Sequence, residues 1–133
     1  MYQTSPVENL KPQIGNGMSL CLTDDLAIAE MYLRGGLGVR HYVYQASWDA
    51  ANLASEAELN GIVESLGWTM EDRFESQPYL AMKNAKVRAA VLAAGFDGAV
   101  YEDTHEGCNY ETTELLREPE GFAWSLYRTV EPK

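Results

Sequence analysis

The stretch that decides the fold is residues 78–103, PYLAMKNAKVRAAVLAAGFDGAVYED. It has a proline in its first turn and apolar residues at helical spacing, which predicts one helix over 78–94. Gly95 ends this helix, because glycine readily adopts the left-handed backbone common at helix C-termini. The segment 99–102 (AVYE), with a valine and a tyrosine at its centre, then predicts a short strand. One helix that leads directly into a strand indicates a domain that mixes both elements.

The rest of the chain extends this pattern on both sides. Helical spacing of apolar residues predicts two further helices, over 25–33 and 57–66. Further strands are predicted over 39–46, 108–113 and 122–130. Strands near the ends and helices in the middle indicate an α+β fold. A chain of 133 residues suits one packed core, so we expect a single domain over residues 1–133.

The charge balance excludes several classes of partner. Ten Lys and Arg stand against twenty Asp and Glu, giving a net charge of -10. Such a chain is repelled by nucleic-acid phosphate and by anionic membranes, whereas a basic protein partner stays possible. Seven of the acids fall within residues 102–120, and we expect most of them to be solvated. The N-terminus lacks the features of a secretory signal and no apolar run is long enough to cross a bilayer, so we expect a cytoplasmic protein.

Common catalytic and metal-binding motifs are absent from the chain. There is no P-loop, dinucleotide-binding GxGxxG, GxSxG or HExxH. His105 and Cys108 have the spacing of zinc ligands, but the remaining Cys and His are only Cys21 and His41. Since a structural zinc site takes about four ligands, no metal site is predicted.

Five short stretches, taken in order, carry a family resemblance. They are residues 2–8 (YQTSPVE), 19–25 (SLCLTDD), 27–32 (AIAEMY), 95–103 (GFDGAVYED) and 107–110 (GCNY). Together they resemble the small ADP-ribosyltransferase-like domains, and among these the phage anti-CRISPR ADP-ribosyltransferases that inactivate a type I CRISPR surveillance complex. The resemblance implies two small, mostly antiparallel sheets around an NAD cleft, with flanking helices.

The function implied by the resemblance is mono-ADP-ribosyl transfer. Such an enzyme uses NAD+ as co-substrate to modify a host protein in the host cytoplasm, here the PAM-reading subunit of the surveillance complex, without direct contact to nucleic acid or membrane. Breaking the bond between nicotinamide and ribose passes through an oxocarbenium-like transition state. The site must therefore hold the carboxamide, stack the pyridine ring and place a carboxylate near the developing positive charge.

The resemblance also assigns the residues that would bind NAD+. Thr4 supplies a backbone contact to the carboxamide, and Gln3 takes the place of a family histidine that holds a ribose hydroxyl. Gln3 departs from the family pattern, although its amide still donates and accepts hydrogen bonds. Tyr32 falls where a family tyrosine packs against the nicotinamide ring. Arg34 and Arg40 are candidates for the pyrophosphate. The remaining expected contacts are Ser19, Thr23 and Cys21, the last as a packed wall of the pocket.

The resemblance also implies a catalytic carboxylate. Many members carry a glutamate at the position of Asn109, so this chain lacks it. In the anti-CRISPR relatives an aspartate of the preceding acidic turn takes that part, and it matches Asp103. We therefore expect Asp103 to be the catalytic acid, with Glu106 next, followed by Glu102 and Glu111.

Two alternative functions stay open on the sequence. The charge of -10 and the missing histidine and glutamate also fit a non-enzymatic acidic inhibitor, a DNA mimic that blocks a basic nucleic-acid-binding groove. The same pocket would also serve an NAD glycohydrolase, or a transferase that acts on nucleic acid or a small molecule. The sequence does not separate this last group from a protein-modifying enzyme.

Overall fold

The computed structural model describes residues 1–31, 39–105 and 107–131 of the chain. Within these ranges the chain is an α+β domain, which confirms the predicted fold class. The strands and helices occur in the order β1 (Tyr2–Ser5), β2 (Leu20–Thr23), α1 (Leu26–Met31), β3 (His41–Ser47), β4 (Leu53–Ala54), α2 (Glu56–Ser65), α3 (Met70–Phe74), α4 (Pro78–Ala81), α5 (Ala85–Ala93), β5 (Gly98–His105), β6 (Cys108–Leu115) and β7 (Ala123–Val130).

The described strands form one mixed sheet, in the order β4-β5-β6-β2-β1-β3-β7. All neighbours are antiparallel except β4 and β5. The resemblance implied two separate sheets, and the difference arises between β1 and β2. These strands pair only at Tyr2 and Thr23, whereas β1 pairs with β3, and β2 with β6, along the whole length of the shorter strand. The sheet is therefore continuous but nearly divided at the β1–β2 line.

Each face of the sheet carries its own apolar core. On one face, helices α2 to α5 cover β5 and bury residues that include Leu59, Val63, Met82, Val87 and Val91. On the other face, Leu20, Leu22, Ala46 and Leu115 pack together with Phe122 and Trp124. Since burying one such aliphatic side chain is worth about 1.5–3 kcal/mol, these two cores hold the layers together.

The helix predicted over 78–94 is two helices, α4 and α5, so the prediction of one continuous helix is wrong. The break lies at Asn84, whose side-chain oxygen accepts hydrogen bonds from the backbone N–H of Lys86 at 2.9 Å and of Val87 at 3.2 Å. Asparagine caps a helix well because its side chain replaces the missing backbone acceptors. Lys83 thus lies in the short segment between the two helices.

The other two predicted helices fit more closely. The helix over 57–66 is confirmed as α2, which begins with a capping box between Ser55 and Glu58. The helix over 25–33 begins as α1, where the Asp25 carboxylate accepts from the N–H of Ala27 at 2.9 Å. Its predicted end lies outside the described residues. None of the described helices is long and apolar enough to cross a lipid bilayer.

The hairpin of β5 and β6 is longer than predicted and positions the candidate site. Strand β5 runs to His105 and pairs with β6 along its whole length. Gly98 begins this hairpin at a point where a Cβ atom would collide with the backbone carbonyl oxygen of Glu114. Only glycine therefore allows β5 to approach β6 this closely.

Candidate active site

A pocket of about 370 Å³ opens at the line where the sheet is nearly divided. This volume lies at the small end of the range for ligand sites in proteins. The lining residues come from β1, β2, β5, β6, α1 and the region of α4 and α5, and are Tyr2, Gln3, Thr4, Ser19, Cys21, Leu22, Thr23, Ala29, Tyr79, Lys83, Arg88, Tyr101, Asp103, Tyr110, Thr112 and Glu114. We call this cavity the central pocket.

Strand alternation explains why these particular side chains meet. Residues directly opposite each other in a ladder share a face of the sheet, and so does every second residue along a strand. Cys21 lies opposite Glu114, and Asp103 lies opposite Tyr110. Thr112 links the two ladders, since it lies opposite Thr23 on one side and Tyr101 on the other. Three strands thus present one polar face to the central pocket.

The structure brings half of the expected site residues together. Six of them line the central pocket, namely Gln3, Thr4, Ser19, Cys21, Thr23 and Asp103. Tyr32, Arg34 and Glu106 lie outside the described residues. Arg40 does not line the pocket, and its Nε donates to a Glu131 carboxylate oxygen at 3.0 Å. Glu102 and Glu111 lie opposite each other in the hairpin and do not line the pocket either.

The backbone of Thr4 points into the gap between β1 and β2. Met1 and Ala46 exchange both backbone hydrogen bonds, so Met1 turns its peptide groups towards β3. Because peptide direction alternates along a strand, Gln3 also faces β3, whereas Tyr2 and Thr4 face β2. Beyond Tyr2 the strands β1 and β2 are not paired. The Thr4 N–H and C=O are therefore directed into the gap, while its hydroxyl donates to the Ala29 carbonyl at 2.7 Å.

A buried polar network forms the floor of the central pocket. The Glu114 side chain is only 4% exposed. Its carboxylate accepts from the Ser19 hydroxyl at 2.8 Å, the Tyr101 hydroxyl at 2.8 Å and the Arg88 guanidinium at 3.4 Å. Arg88 donates in addition to Ser19 Oγ at 2.9 Å and to the carbonyl oxygens of Gly17 and Met82. We call Ser19, Arg88, Tyr101 and Glu114 the floor network.

The Cys21 thiol and the Tyr101 phenol resist ionisation. Cys21 is exposed as a residue, but its side chain lines the central pocket, where desolvation of the thiol, reinforced by the charge of Glu114, raises its pKa to about 12. The same two causes raise the pKa of Tyr101 well above its ordinary value. A thiol that stays protonated at neutral pH is a poor nucleophile.

The rim of the central pocket carries charged groups that are more exposed to solvent than those of the floor network. Asp103 is half-buried, and its Oδ1 accepts from the backbone N–H of Thr104 at 2.8 Å. Lys83 is exposed, and its ammonium lies 5.3 Å from the centre of the Tyr79 ring. We call Tyr79, Lys83, Asp103 and Tyr110 the rim.

An acidic groove adjoins one side of the rim. A cavity of about 490 Å³ shares Tyr79, Asp103 and Tyr110 with the central pocket. A further cavity of about 540 Å³ continues from it and is lined by four glutamates, Glu56, Glu64, Glu71 and Glu102. The described residues that line these two cavities include no Lys, Arg or His. We call the two cavities together the acidic groove.

Three members of the floor network, Arg88, Tyr101 and Glu114, were not predicted as site residues, whereas Ser19 was. Most acids of residues 102–120 are expected to be solvated, and Glu114 is an exception. The strand predicted over 108–113 stops just before it, whereas β6 continues to Leu115. Extending the alternation of Tyr110 and Thr112 by one step would have placed Glu114 on the same face. Its partner Arg88 lies in a distant helix and left no signal in the pattern.

No protein-family model, curated protein or solved structure matches the chain. The motif resemblance and the geometry of the central pocket are therefore the features that bear on function.

Proposed function

We propose that the protein is a mono-ADP-ribosyltransferase that uses NAD+ as co-substrate to modify a host protein. The observation that carries the proposal is the meeting of Gln3, Thr4, Ser19, Cys21, Thr23 and Asp103 in one pocket. These residues come from separate motifs near both ends of the chain. The motif resemblance assigns each of them to NAD+ binding or catalysis. The nearly divided sheet also supports the split ADP-ribosyltransferase-like architecture, with the pocket as its NAD cleft.

Thr4 is suited to hold the nicotinamide carboxamide. A primary amide has both a donor and an acceptor, and the Thr4 peptide directs an N–H and a C=O into the same gap. Backbone groups at the edge of a paired strand are held firmly, because the rest of the strand is fixed in the ladder with β3. Such preorganised contacts orient a ligand at little entropic cost.

Asp103 is the better of the two pocket acids for catalysis. Glu114 already accepts from three hydrogen-bond donors and is buried within the floor network. Asp103 lies at the rim, and Thr104 occupies only one of its oxygens among the described contacts. When the bond between ribose C1′ and the nicotinamide nitrogen breaks, the electron pair leaves with neutral nicotinamide. The Asp103 carboxylate then faces the cationic ribose and accepts the proton of the incoming acceptor.

The acceptor that we propose is the PAM-reading subunit of a type I CRISPR surveillance complex in the host cytoplasm. The motif resemblance supports this choice, and so does the acidic groove beside Asp103, because a DNA-binding surface is basic. Attaching an anionic ADP-ribose to such a surface would repel DNA by charge and obstruct it by size. The protein itself would not touch nucleic acid.

The test is incubation with labelled NAD+ and the purified complex, followed by intact-mass analysis of each subunit. We expect one ADP-ribose to be added by the wild type and by Glu111→Gln, but not by Asp103→Asn. Glu111 is the matched control, because the change removes the same charge from the same hairpin outside the pocket. Inhibition of the complex that needs no NAD+ and is equal in Asp103→Asn would refute the proposal.

A second candidate is the non-enzymatic acidic inhibitor, which the acidic groove favours. Four glutamates line one cavity without a counter-charge in its described lining, so this surface suits a basic partner. A stoichiometric inhibitor of this kind would act without NAD+ and would lose affinity steeply as salt is added. One molecule that disables many complexes would exclude it.

A further inference from the structure

We propose that Lys83 holds the diphosphate of the dinucleotide at the rim of the central pocket, beside Tyr79. The inference rests on the proposed function and adds to it a binding residue outside the motifs. It also fixes the direction of the ligand, with nicotinamide in the gap beside Thr4 and the phosphates at the α4–α5 side.

The size of the pocket places the phosphates at the rim. At about 370 Å³ it lies near the lower limit for ligand sites, whereas NAD+ consists of two nucleosides joined by a diphosphate. With the carboxamide at Thr4, the nicotinamide half fills the inner part of the pocket. The diphosphate, which is the anionic centre of the molecule, then reaches the rim.

Lys83 is the cation that remains available there. Two described cations line the pocket, Arg88 and Lys83. Arg88 is committed to Glu114, Ser19 and two backbone carbonyls. Lys83 forms no ion pair with any described residue, and its ammonium contacts the Tyr79 ring. Its charge is therefore free to meet an anion.

The fold holds the base of this side chain firmly. The backbone N–H of Lys83 donates to Leu80 at 3.2 Å, and that of Asn84 donates to Ala81 at 3.0 Å. The preceding Met82 is fully buried, and its carbonyl accepts from Arg88. The Lys83 backbone is thus fixed at the edge of the pocket, and its long side chain carries the ammonium.

The acids of the rim and of the acidic groove repel the same anion. The acidic groove adjoins Tyr79 and Asp103, and its described lining has acids and no cations. Like charges at close range raise the energy, and the effect is strongest where water is partly excluded. A diphosphate therefore favours contact with Lys83 over contact with Asp103, which leaves Asp103 to face the acceptor.

Lys86 provides the matched control for a test. It lies three residues further on in α5, is exposed, and its ammonium lies 5.9 Å from the centre of the Trp68 ring. It does not line the central pocket. Changing Lys83 or Lys86 to alanine removes the same charge from neighbouring surface positions.

The experiment is titration calorimetry of NAD+ into the wild type, Lys83→Ala, Lys83→Arg and Lys86→Ala, with nicotinamide riboside as the ligand that has no phosphate. We expect Lys83→Ala to weaken NAD+ binding about tenfold, with Lys86→Ala within about twofold of the wild type and Lys83→Arg close to it. In turnover, Lys83→Ala should raise KM with kcat nearly unchanged. The riboside should not distinguish Lys83→Ala from the wild type.

Two results would overturn the inference while the proposed function stands. One is equal NAD+ binding by Lys83→Ala and Lys86→Ala, and the other is the same loss of affinity for the riboside as for NAD+. Failure of the wild type to bind NAD+ would instead refute the proposed function, and the inference with it.

Discussion

The floor and the rim of the central pocket each carry one acid and one base, but they use them differently. In the floor, Glu114 and Arg88 are paired at 3.4 Å and share Ser19 as a common partner. At the rim, Asp103 and Lys83 form no ion pair with each other. The floor charges are neutralised inside the protein, whereas the rim charges face the space where a ligand would lie.

The difference follows from burial. An ionised group that is cut off from water is costly unless hydrogen bonds and an opposite charge surround it, and the floor meets that condition. Groups at the rim keep access to water, so they need no internal partner. We infer that the floor stabilises the fold and shapes the pocket, whereas the rim performs binding and chemistry. Substitutions in the floor should therefore change stability, whereas substitutions at the rim should change binding and turnover.

The reactivity of Cys21 should show how strongly the floor suppresses ionisation. With a pKa of about 12, the thiol carries very little thiolate at pH 8. In a Cys108→Ser background, alkylation of Cys21 by iodoacetamide at pH 8 should be roughly a thousandfold slower in the native protein than in urea. Mass spectrometry over time measures both rates. Similar rates in the two states would contradict a protonated thiol at the floor.

Glu114→Gln should destabilise the protein by about 3 kcal/mol, because it leaves Arg88 without its buried counter-charge. Urea unfolding measures the loss, and Glu111→Gln, an exposed acid of the same strand, should stay within about 0.5 kcal/mol of the wild type. Replacing both partners, as in Arg88→Met with Glu114→Leu, should recover only part of the stability, because the buried Tyr101 hydroxyl still lacks its acceptor. A wild-type free energy of unfolding for Glu114→Gln would mean that the floor is not a coupled network.

Asp103→Asn should lower kcat strongly and change stability little, whereas Glu114→Gln mainly lowers stability. We expect kcat for NAD+-dependent transfer to fall about a hundredfold, since the charge that faces the reacting ribose is lost. The free energy of unfolding should change by less than about 0.5 kcal/mol, because Asp103 is half-buried and its described hydrogen bond is to its own neighbour. A large loss of stability would place Asp103 with the floor and contradict the division of roles.

Asp97 lies outside the pocket, and its substitution should lower the free energy of unfolding by a smaller amount that depends on pH. Burial acts to raise the pKa of Asp97, but hydrogen bonds from Arg117 Nε at 2.6 Å and the Asn52 N–H at 2.9 Å outweigh it, so the pKa is lowered. Asp97→Asn should destabilise the protein by about 1 kcal/mol at pH 7, a modest value because Arg117 is partly solvated.

The sign of the Asp97 effect with pH follows from that shift. Because the folded pKa lies below the unfolded value, the carboxylate stabilises the fold fully above the unfolded pKa. This contribution is lost as the pH falls through the folded pKa. Urea unfolding of the wild type and Asp97→Asn at pH 7 and in the acid range should therefore show a difference that shrinks in acid. A constant difference would show that the substitution acts through packing instead.

Sequence patterns predicted well what depends on local spacing. Helix α2 follows from apolar residues at helical spacing, and strands β3, β6 and β7 follow from runs of strand-forming residues. The break at Asn84 was missed, because asparagine tolerates a helix interior and its side chain decides the outcome only through hydrogen bonds.

The site could be predicted only in part, because it depends on contacts between residues that are remote in the chain. Asp103 and Thr4 were named through motif order, which reflects a whole fold and thus carries information about distant contacts. Glu114 had no such support, since its burial depends on Arg88 and Ser19, which are remote in the chain. Nor does any local pattern reveal that β1 and β2 pair at a single position, which opens the pocket.

Titration calorimetry of NAD+ into the wild type, Thr4→Ala and Thr4→Pro tests whether the Thr4 backbone in the gap between β1 and β2 binds the dinucleotide. Alanine keeps the N–H that points into the gap, whereas proline removes it from a position where the ladder with β3 does not use it. The account predicts that the wild type and Thr4→Ala bind NAD+ with similar affinity and that Thr4→Pro binds at least about tenfold more weakly. No binding heat with the wild type, or equal affinities for the alanine and proline variants, would contradict it.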